Sequence, residues 1–254
     1  MHRFYLPPEQ CRDKTLVLDG REAHHALHVL RVRAGERVVV LDGAGQELLC
    51  EAKEPGEELR LTVAQRNSVP PLPYKITLFQ AIPKGKIMEG IVQKAVELGA
   101  HRIVPLLSDR VVTQLDEESG PSRAEKWRLT AIEALKQCGS AWLPRIETPI
   151  TPKAALAQGE RYELPLIGSL QNDSRHPREY FTRFQTEQGR MPRSVCVWIG
   201  PEGDFTPAEM NSAKSAGMLP ITLGRLVLRS ETAAVYSLSV LNYELQSGPG
   251  SAGA

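Results

Sequence analysis

SVCVWIGPEGDFTPAEM, residues 194–210, joins three kinds of chain. SVCVWI has the length and the β-branched content of a strand buried on both faces. It stops at Gly200-Pro201-Glu202-Gly203, and Thr206-Pro207-Ala208-Glu209 then opens a helix as a capping box with proline in the first helical position. Such a cap is worth about 1 kcal/mol, so the helix start is firm. Strand, tight loop and capped helix in this order make one unit of a parallel sheet, and ligands of such sheets sit outside the carboxyl ends of the strands. Gly200 lets another group approach its backbone, Pro201 fixes one dihedral, and Gly203 is expected to take positive φ and turn the chain. Taken alone, the stretch fits an ordinary strand-to-helix turn equally well.

Its surroundings favour a site. From KITLFQAI (75–82) onward strands and helices alternate: a helix with Ile87, Ile91, Ala95 and Leu98 on one face, a stop at Gly99, a strand at RIVPLL, and a helix near 123–138. A short strand near 145–148, ELPLIG, the helix REYFTRFQ, SVCVWIG, a helix from Pro207, PITLG and a helix to Leu245 follow. This pattern predicts an α/β fold with a mostly parallel sheet covered by helices. Two further strand ends carry small residues, Ile167-Gly168-Ser169 and Leu223-Gly224, and the second leads into RLVLRSETAAV. Three such loops are expected to line one pocket.

Upstream, TLVLDG, RVVVLDGAG, ELLCEA and ELRLTV read as short strands with Asp-Gly turns, and AHHALHVL (23–30) as one short helix, together a small, mostly β barrel. NSVPPLPYK (67–75), with three prolines in five positions, reads as a linker. The expected domains are therefore 1–72 and 73–246, followed by a disordered tail at 247–254.

The 254 residues are 41% hydrophobic and 24% charged with net charge +1, values of an ordinary globular chain. No run reaches the roughly 18 apolar residues of a membrane span, and the first residues lack a signal-peptide centre, so a cytoplasmic protein without a membrane partner is expected. Cys11, Cys50, Cys138 and Cys196 form no CxxC pair and are expected as buried reduced thiols. His24 and His28 have a spacing that suits zinc on a helix but no third ligand nearby, so no metal is expected. Trp127 and Trp198 fall on apolar faces and are expected in the core. Neither the GxGxxG fingerprint nor a GxxxxGK[ST] loop is present, which leaves a ligand held mainly by backbone groups.

The pair IGPEGDFTPAEM and LGRLVLRSETAAV closely resembles the signature of the RsmE family, bacterial small-subunit ribosomal RNA uridine N3-methyltransferases of the SPOUT superfamily. HHALHVLRVRAGERVVVLDGAG (24–45), KGKIMEGIVQKAVELGAHRIVPL (84–106) and EALKQCGSAWLPRI (133–146) extend the likeness over nearly all of 1–246. The resemblance implies a PUA-like N-terminal barrel and a C-terminal SPOUT domain tied in a trefoil knot. It also implies a homodimer that binds S-adenosylmethionine and forms 3-methyluridine in 16S rRNA, with no DNA partner. Matched position by position, it places the cofactor on Ile167, Gly168 and Ser169, and on Ile199, Gly200, Pro201, Glu202 and Gly203. It adds Leu223, Gly224, Leu226, Leu228, Arg229, Thr232 and Ala233 from the third loop.

Methylation at N3 requires a nitrogen lone pair, and N3 of uridine carries a proton, so the site must remove it or stabilise the anion left behind. Arg229 is the first choice for the stabiliser, because a guanidinium binds a developing oxyanion well. Glu202 and Glu231 are candidates for the base, and water is another. Glu231 equally suits a helix N-terminus, with Arg229 as its structural pair. N3 lies on the Watson-Crick edge, so the target base must be unpaired or turned out. Arg3, Arg21, Arg31 and Arg33, extended by Lys84, Lys86 and Arg110, are candidates for RNA contact, each with solvated surface charge as the plainer reading. A SPOUT enzyme acting on ribose 2′-oxygen and a non-catalytic RNA-binding assembly protein are the rivals. A bulky side chain at Gly200 is expected to block the cofactor and spare the fold.

Overall fold

The computed structural model describes residues 1–54, 56–111 and 119–246; the tail expected at 247–254 lies outside them. The chain forms two units, the first of residues 1–71 with 132–143 and the second of 72–131 with 144–254, so the division falls at the prolines except for one returning segment.

In the first unit β1 (Arg3–Tyr5), β2 (Thr15–Leu18), β3 (Arg37–Leu41), β4 (Gln46–Ala52) and β5 (Leu59–Ser68) form one sheet in the order β1-β3-β4-β5-β2. Its core is Phe4, Leu16, Leu18, Val38, Val40 and Leu48 with their neighbours. Where the sequence predicts one helix over 23–30, α1 (Gly20–His24) passes into a π-helical turn, His25–Val29, closed by Leu30 N–H donating to the His25 carbonyl at 2.9 Å. The π turn carries the chain into Arg31, whose φ is +55°. The returning segment is fixed by Trp142, whose indole N–H donates to the Val69 carbonyl at 3.0 Å and whose ring lies over Gly45. A Cβ on Gly45 would stand 2.5 Å from that ring, so only glycine fits there.

The second unit holds β6 (Lys75–Ala81), α2 (Ile87–Glu97), β7 (Arg102–Leu106), α3 (Ser119–Cys138) as far as Ala131, β8 (Arg145–Ile146), α4 (Pro152–Ala157) and β9 (Leu164–Gly168). It continues through α5 (Pro177–Gln188), β10 (Ser194–Ile199), α6 (Pro207–Ser215), β11 (Leu219–Ile221) and α7 (Ser230–Gln246). The six strands are all parallel, in the order β11-β9-β10-β6-β7-β8. This is the α/β fold expected. β10 lies between β6 and β9, which explains its unbroken apolar run. Trp198 stacks on Phe79 at 5.0 Å, and Trp127 is buried as expected.

Some details differ from expectation. α2 buries Met88, Ile91, Val92, Ala95 and Val96, while Ile87 lies exposed at its first turn. α7 shows no such departure: its apolar face of Ala234, Leu238, Leu241 and Leu245 is buried by packing within this one chain. Cys138 is exposed, whereas Cys11, Cys50 and Cys196 are buried. Burial pushes the Cys11 and Cys50 thiols up to about 11 and about 12 and that of Cys196 up as well, so all three are inert near neutrality. Among the described residues no helix is long and apolar enough to cross a membrane, and no group of three or more His, Cys, Asp or Glu gathers as a metal site.

Candidate active site

Because β11, β9 and β10 are parallel neighbours, their carboxyl ends lie along one edge and the loops that follow them converge there. The loop after β9 folds back beside β11: Ser169 N–H donates to the Ile221 carbonyl at 3.0 Å and Thr222 N–H to the Arg175 carbonyl at 3.0 Å. The loop after β10 enters α6 through the capping box, with Glu209 N–H donating to the Thr206 hydroxyl and Thr206 N–H to the Glu209 carboxylate. Glu209 does more than cap. It also accepts from Asp109 N–H at 2.9 Å and from the Ser108 hydroxyl at 3.2 Å, which ties the loop after β7 to the start of α6. Arg110 adds a bond from its guanidinium to the Gly203 carbonyl.

The turn is not made as the sequence suggests. Gly203 does not take positive φ; Asp204 does, at +61°, with its carboxylate accepting from Phe205 N–H at 2.8 Å. A local side-chain bond of this kind lets Asp hold the left-handed region. At Gly200 the loop itself leaves little room, since a Cβ there would stand 3.1 Å from Asp204 Oδ1 and 3.3 Å from Phe205 N, so a side chain would push these atoms aside.

Between the three loops lies a cavity of about 400 Å³, within the range of small-molecule sites. The first loop lends it Gly168 and Ser169, the second Ile199, Gly200, Pro201 and Glu202. The third lends Leu223, Gly224, Leu226, Leu228 and Ala233, and these eleven are the predicted residues that the structure brings together. Ile167 is buried in the core beneath, Gly203 packs near Arg110, and Arg229 is exposed beside the cavity without lining it. Glu231 and Thr232 line a different concavity, an apolar groove between α2 and α7. The sequence reading missed Leu170, Gln171, Asn172, Ser174, Asp204 and Thr222, all lining. The polar run LQNDS directly after a strand end was the available signal.

Glu202 is exposed and its carboxylate accepts from Lys84 N–H at 3.2 Å, which attaches the loop after β6 to the loop after β10. Lys84 and Lys86 are exposed, and Lys86 lines the groove. In the first unit Arg3 donates to the Lys136 and Gln137 carbonyls, completing the end of α3, and Arg21 pairs with Glu133 at 3.2 Å. Arg31 and Arg33 are exposed.

Comparison with known proteins agrees with this architecture. A methyltransferase from Legionella pneumophila, solved with its bound cofactor SAM, is 31% identical with a TM-score of 0.85, covering 97% of this chain and 98% of its own. The ribosomal RNA small subunit methyltransferase E of Neisseria gonorrhoeae, solved with S-adenosyl methionine, is 28% identical with a TM-score of 0.82 over 96% of this chain and 97% of its own. The Bacillus subtilis protein of the same name is 27% identical over 97% of this chain and 98% of its own length. A model described as an RNA methyltransferase PUA domain matches residues 18–63, and one described as an RNA methyltransferase domain matches 70–242. By that match over more than half its length, on a parallel sheet whose strand ends enclose a cavity, the chain belongs to the RNA methyltransferase domain family.

Proposed function

We propose that this protein transfers a methyl group from S-adenosylmethionine to N3 of a uridine in small-subunit (16S) ribosomal RNA, giving 3-methyluridine. The observation that carries the reading is the cavity at the ends of β9, β10 and β11, because it joins backbone groups of three loops with the buried Ser230 hydroxyl and the methyl-bearing side chains of Leu226 and Leu228. Polar backbone beside apolar side chains suits a nucleoside attached to an amino-acid chain. When bound, the donor supplies an electrophilic methyl on a sulfonium. The fold-back of residues 169–175 beside β11 supports a trefoil-knotted arrangement of these loops.

Within that reading Gly168, Gly200 and Gly224 offer backbone to the donor, and Ile199, Leu223 and Ala233 close around its apolar parts. Arg229, exposed at the mouth, stabilises negative charge that develops on the base. Glu202, which lines the cavity, is the favoured proton acceptor, and its bond to Lys84 N–H holds it in place. Glu231 ranks below it because it faces the groove. Arg31, Arg33, Lys84 and Lys86 remain as RNA contacts; Arg3, Arg21 and Arg110 drop behind them because each already serves another part of the chain. The apolar groove between α2 and α7, with Ile87 and Tyr236 exposed, supports a homodimer formed there. A cytoplasmic site of action follows from the substrate.

The test is nucleoside mass spectrometry of small ribosomal subunits lacking the modification, after incubation with the protein and S-adenosylmethionine. 3-Methyluridine is the expected product. A ribose-methylated nucleoside in its place sinks the N3 assignment, and no methylation with no donor binding leaves a non-catalytic RNA-binding protein.

A further inference from the structure

Gln80, next to last in β6, is completely buried at the carboxyl end of the sheet. An amide is a costly group to place there unless its hydrogen bonds are made. Its Nε2 donates both protons, to the Ala81 carbonyl at 2.8 Å and to the Ser230 hydroxyl at 2.9 Å. Its Oε1 has no hydrogen-bond partner among the described residues. Exchanging the amide's O and N does not help, because Oε1 would then face the Ala81 carbonyl, acceptor against acceptor. An apolar side chain of similar size would pack without the unpaired oxygen, so packing alone does not explain a glutamine.

The second bond gives a reason. Ser230 is itself buried, at 4% exposure, and has one hydroxyl proton. With Gln80 donating to its oxygen, that proton goes to the Gly200 carbonyl at 2.8 Å. The peptide between Gly200 and Pro201 has no N–H, because proline lacks one, so the carbonyl is its one hydrogen-bonding group. Gly200, Pro201 and Ser230 line the cavity; Gln80 does not.

We propose that Gln80 is a positioning residue for the cofactor cavity, acting through Ser230 to fix the plane of the Gly200–Pro201 peptide. The proposal rests on the reading of the cavity as the S-adenosylmethionine site. The relay runs from the sheet interior to the loop: Gln80 Nε2 spends one proton on the Ala81 carbonyl and the other on Ser230, and the Ser230 proton then goes to Gly200. Glutamine is kept for the direction it gives the Ser230 proton, at the expense of one unpaired oxygen.

The experiment measures S-adenosylmethionine affinity by calorimetry and thermal stability without ligand, for the wild type, Gln80→Met, Ser230→Ala and the double variant. In Gln80→Met we expect an affinity loss of about tenfold with an unchanged or higher Tm, since the unpaired oxygen is gone. The double variant should lose no more affinity than Ser230→Ala alone, the sign of one shared path. If the wild type binds the donor and Gln80→Met binds it equally well, the relay is wrong while the cavity reading stands. A Tm that falls in step with affinity makes Gln80 a plain core residue and overturns the proposal. Additive losses do the same, and if Gln80→Met does not fold, full affinity in Ser230→Ala decides against the relay. A wild type that does not bind the donor removes the cavity reading and the relay with it.

Discussion

Two concavities share the first turns of α7 and differ in what builds them. The cavity at the strand ends is walled mainly by loops, and α7 lends it Ser230 and Ala233. The groove, about 740 Å³, is walled by side chains of α2 and α7, and α7 lends it Glu231, Thr232, Val235, Tyr236 and Ser239. Residues next to each other on a helix point about 100° apart, so a continuous motif such as RSETAAV serves two surfaces. Backbone comes close to a small ligand in the first, and in the second apolar side chains form the surface on which the proposed homodimer would be built.

The largest expected effect comes from crowding the GPEG loop that lines the cavity. Gly200→Val would bring a side chain against Asp204 Oδ1 and Phe205 N. Donor affinity should fall at least about a hundredfold, and stability by about 1–3 kcal/mol from overpacking. The stability loss departs from the sequence expectation of a spared fold, because the atoms in the way belong to the loop and not only to a ligand. Calorimetry and thermal melts on the variant read both quantities, and undiminished affinity would erase the distinction between the two concavities.

A smaller effect should follow from charging the groove. Tyr236 is 44% exposed and lies among Ile87, Ile91 and Val235. If the proposed homodimer forms at the groove, Tyr236→Glu is expected to weaken it by about 2 kcal/mol or more, roughly thirtyfold in dissociation constant, while donor affinity holds. Sedimentation equilibrium against concentration measures it. A variant that dimerises like the wild type would take the groove out of the interface.

How much of this could be read from the sequence depends on range. The parallel sheet, the three strand ends and the Thr206–Glu209 cap were legible because hydrophobic period and capping residues act within a few positions. What was not legible needed partners far along the chain. Arg3, Arg21 and Arg110 look free in sequence, yet their partners are Gln137, Glu133 and Gly203. The left-handed residue in the GPEGD turn was misplaced by one, since glycine is the obvious candidate and only the geometry shows Asp204 closing on Phe205 N–H. Gln80 carried no motif at all; its meaning appears when Ser230, 150 positions away, is beside it.

The smallest expected effect lies at the opposite end of the sheet and sharpens the contrast by leaving both concavities alone. Glu163 directly precedes β9, whose other end carries Gly168 into the cavity. Its carboxylate accepts from the Arg190 guanidinium at 2.7 Å and 3.0 Å and from Arg193 N–H at 2.6 Å. The Arg190 bond chiefly, with Arg193 N–H beside it, lowers its pKa from 4.5 to about 2. A carboxyl depressed in the folded state contributes stability that is present above the unfolded value near 4.5 and is lost as pH falls towards about 2. The pair is partly solvated, with 32% of the Glu163 side chain exposed, so screening holds the contribution to about 1 kcal/mol or less. Glu163→Gln should therefore be less stable than wild type at pH 7 by that amount in urea unfolding, with the gap narrowing steadily below pH 4.5. Donor affinity should not change. A gap that stays constant with pH would mean that the charge of Glu163 contributes nothing, and a change in donor affinity would mean that the two ends of β9 are coupled.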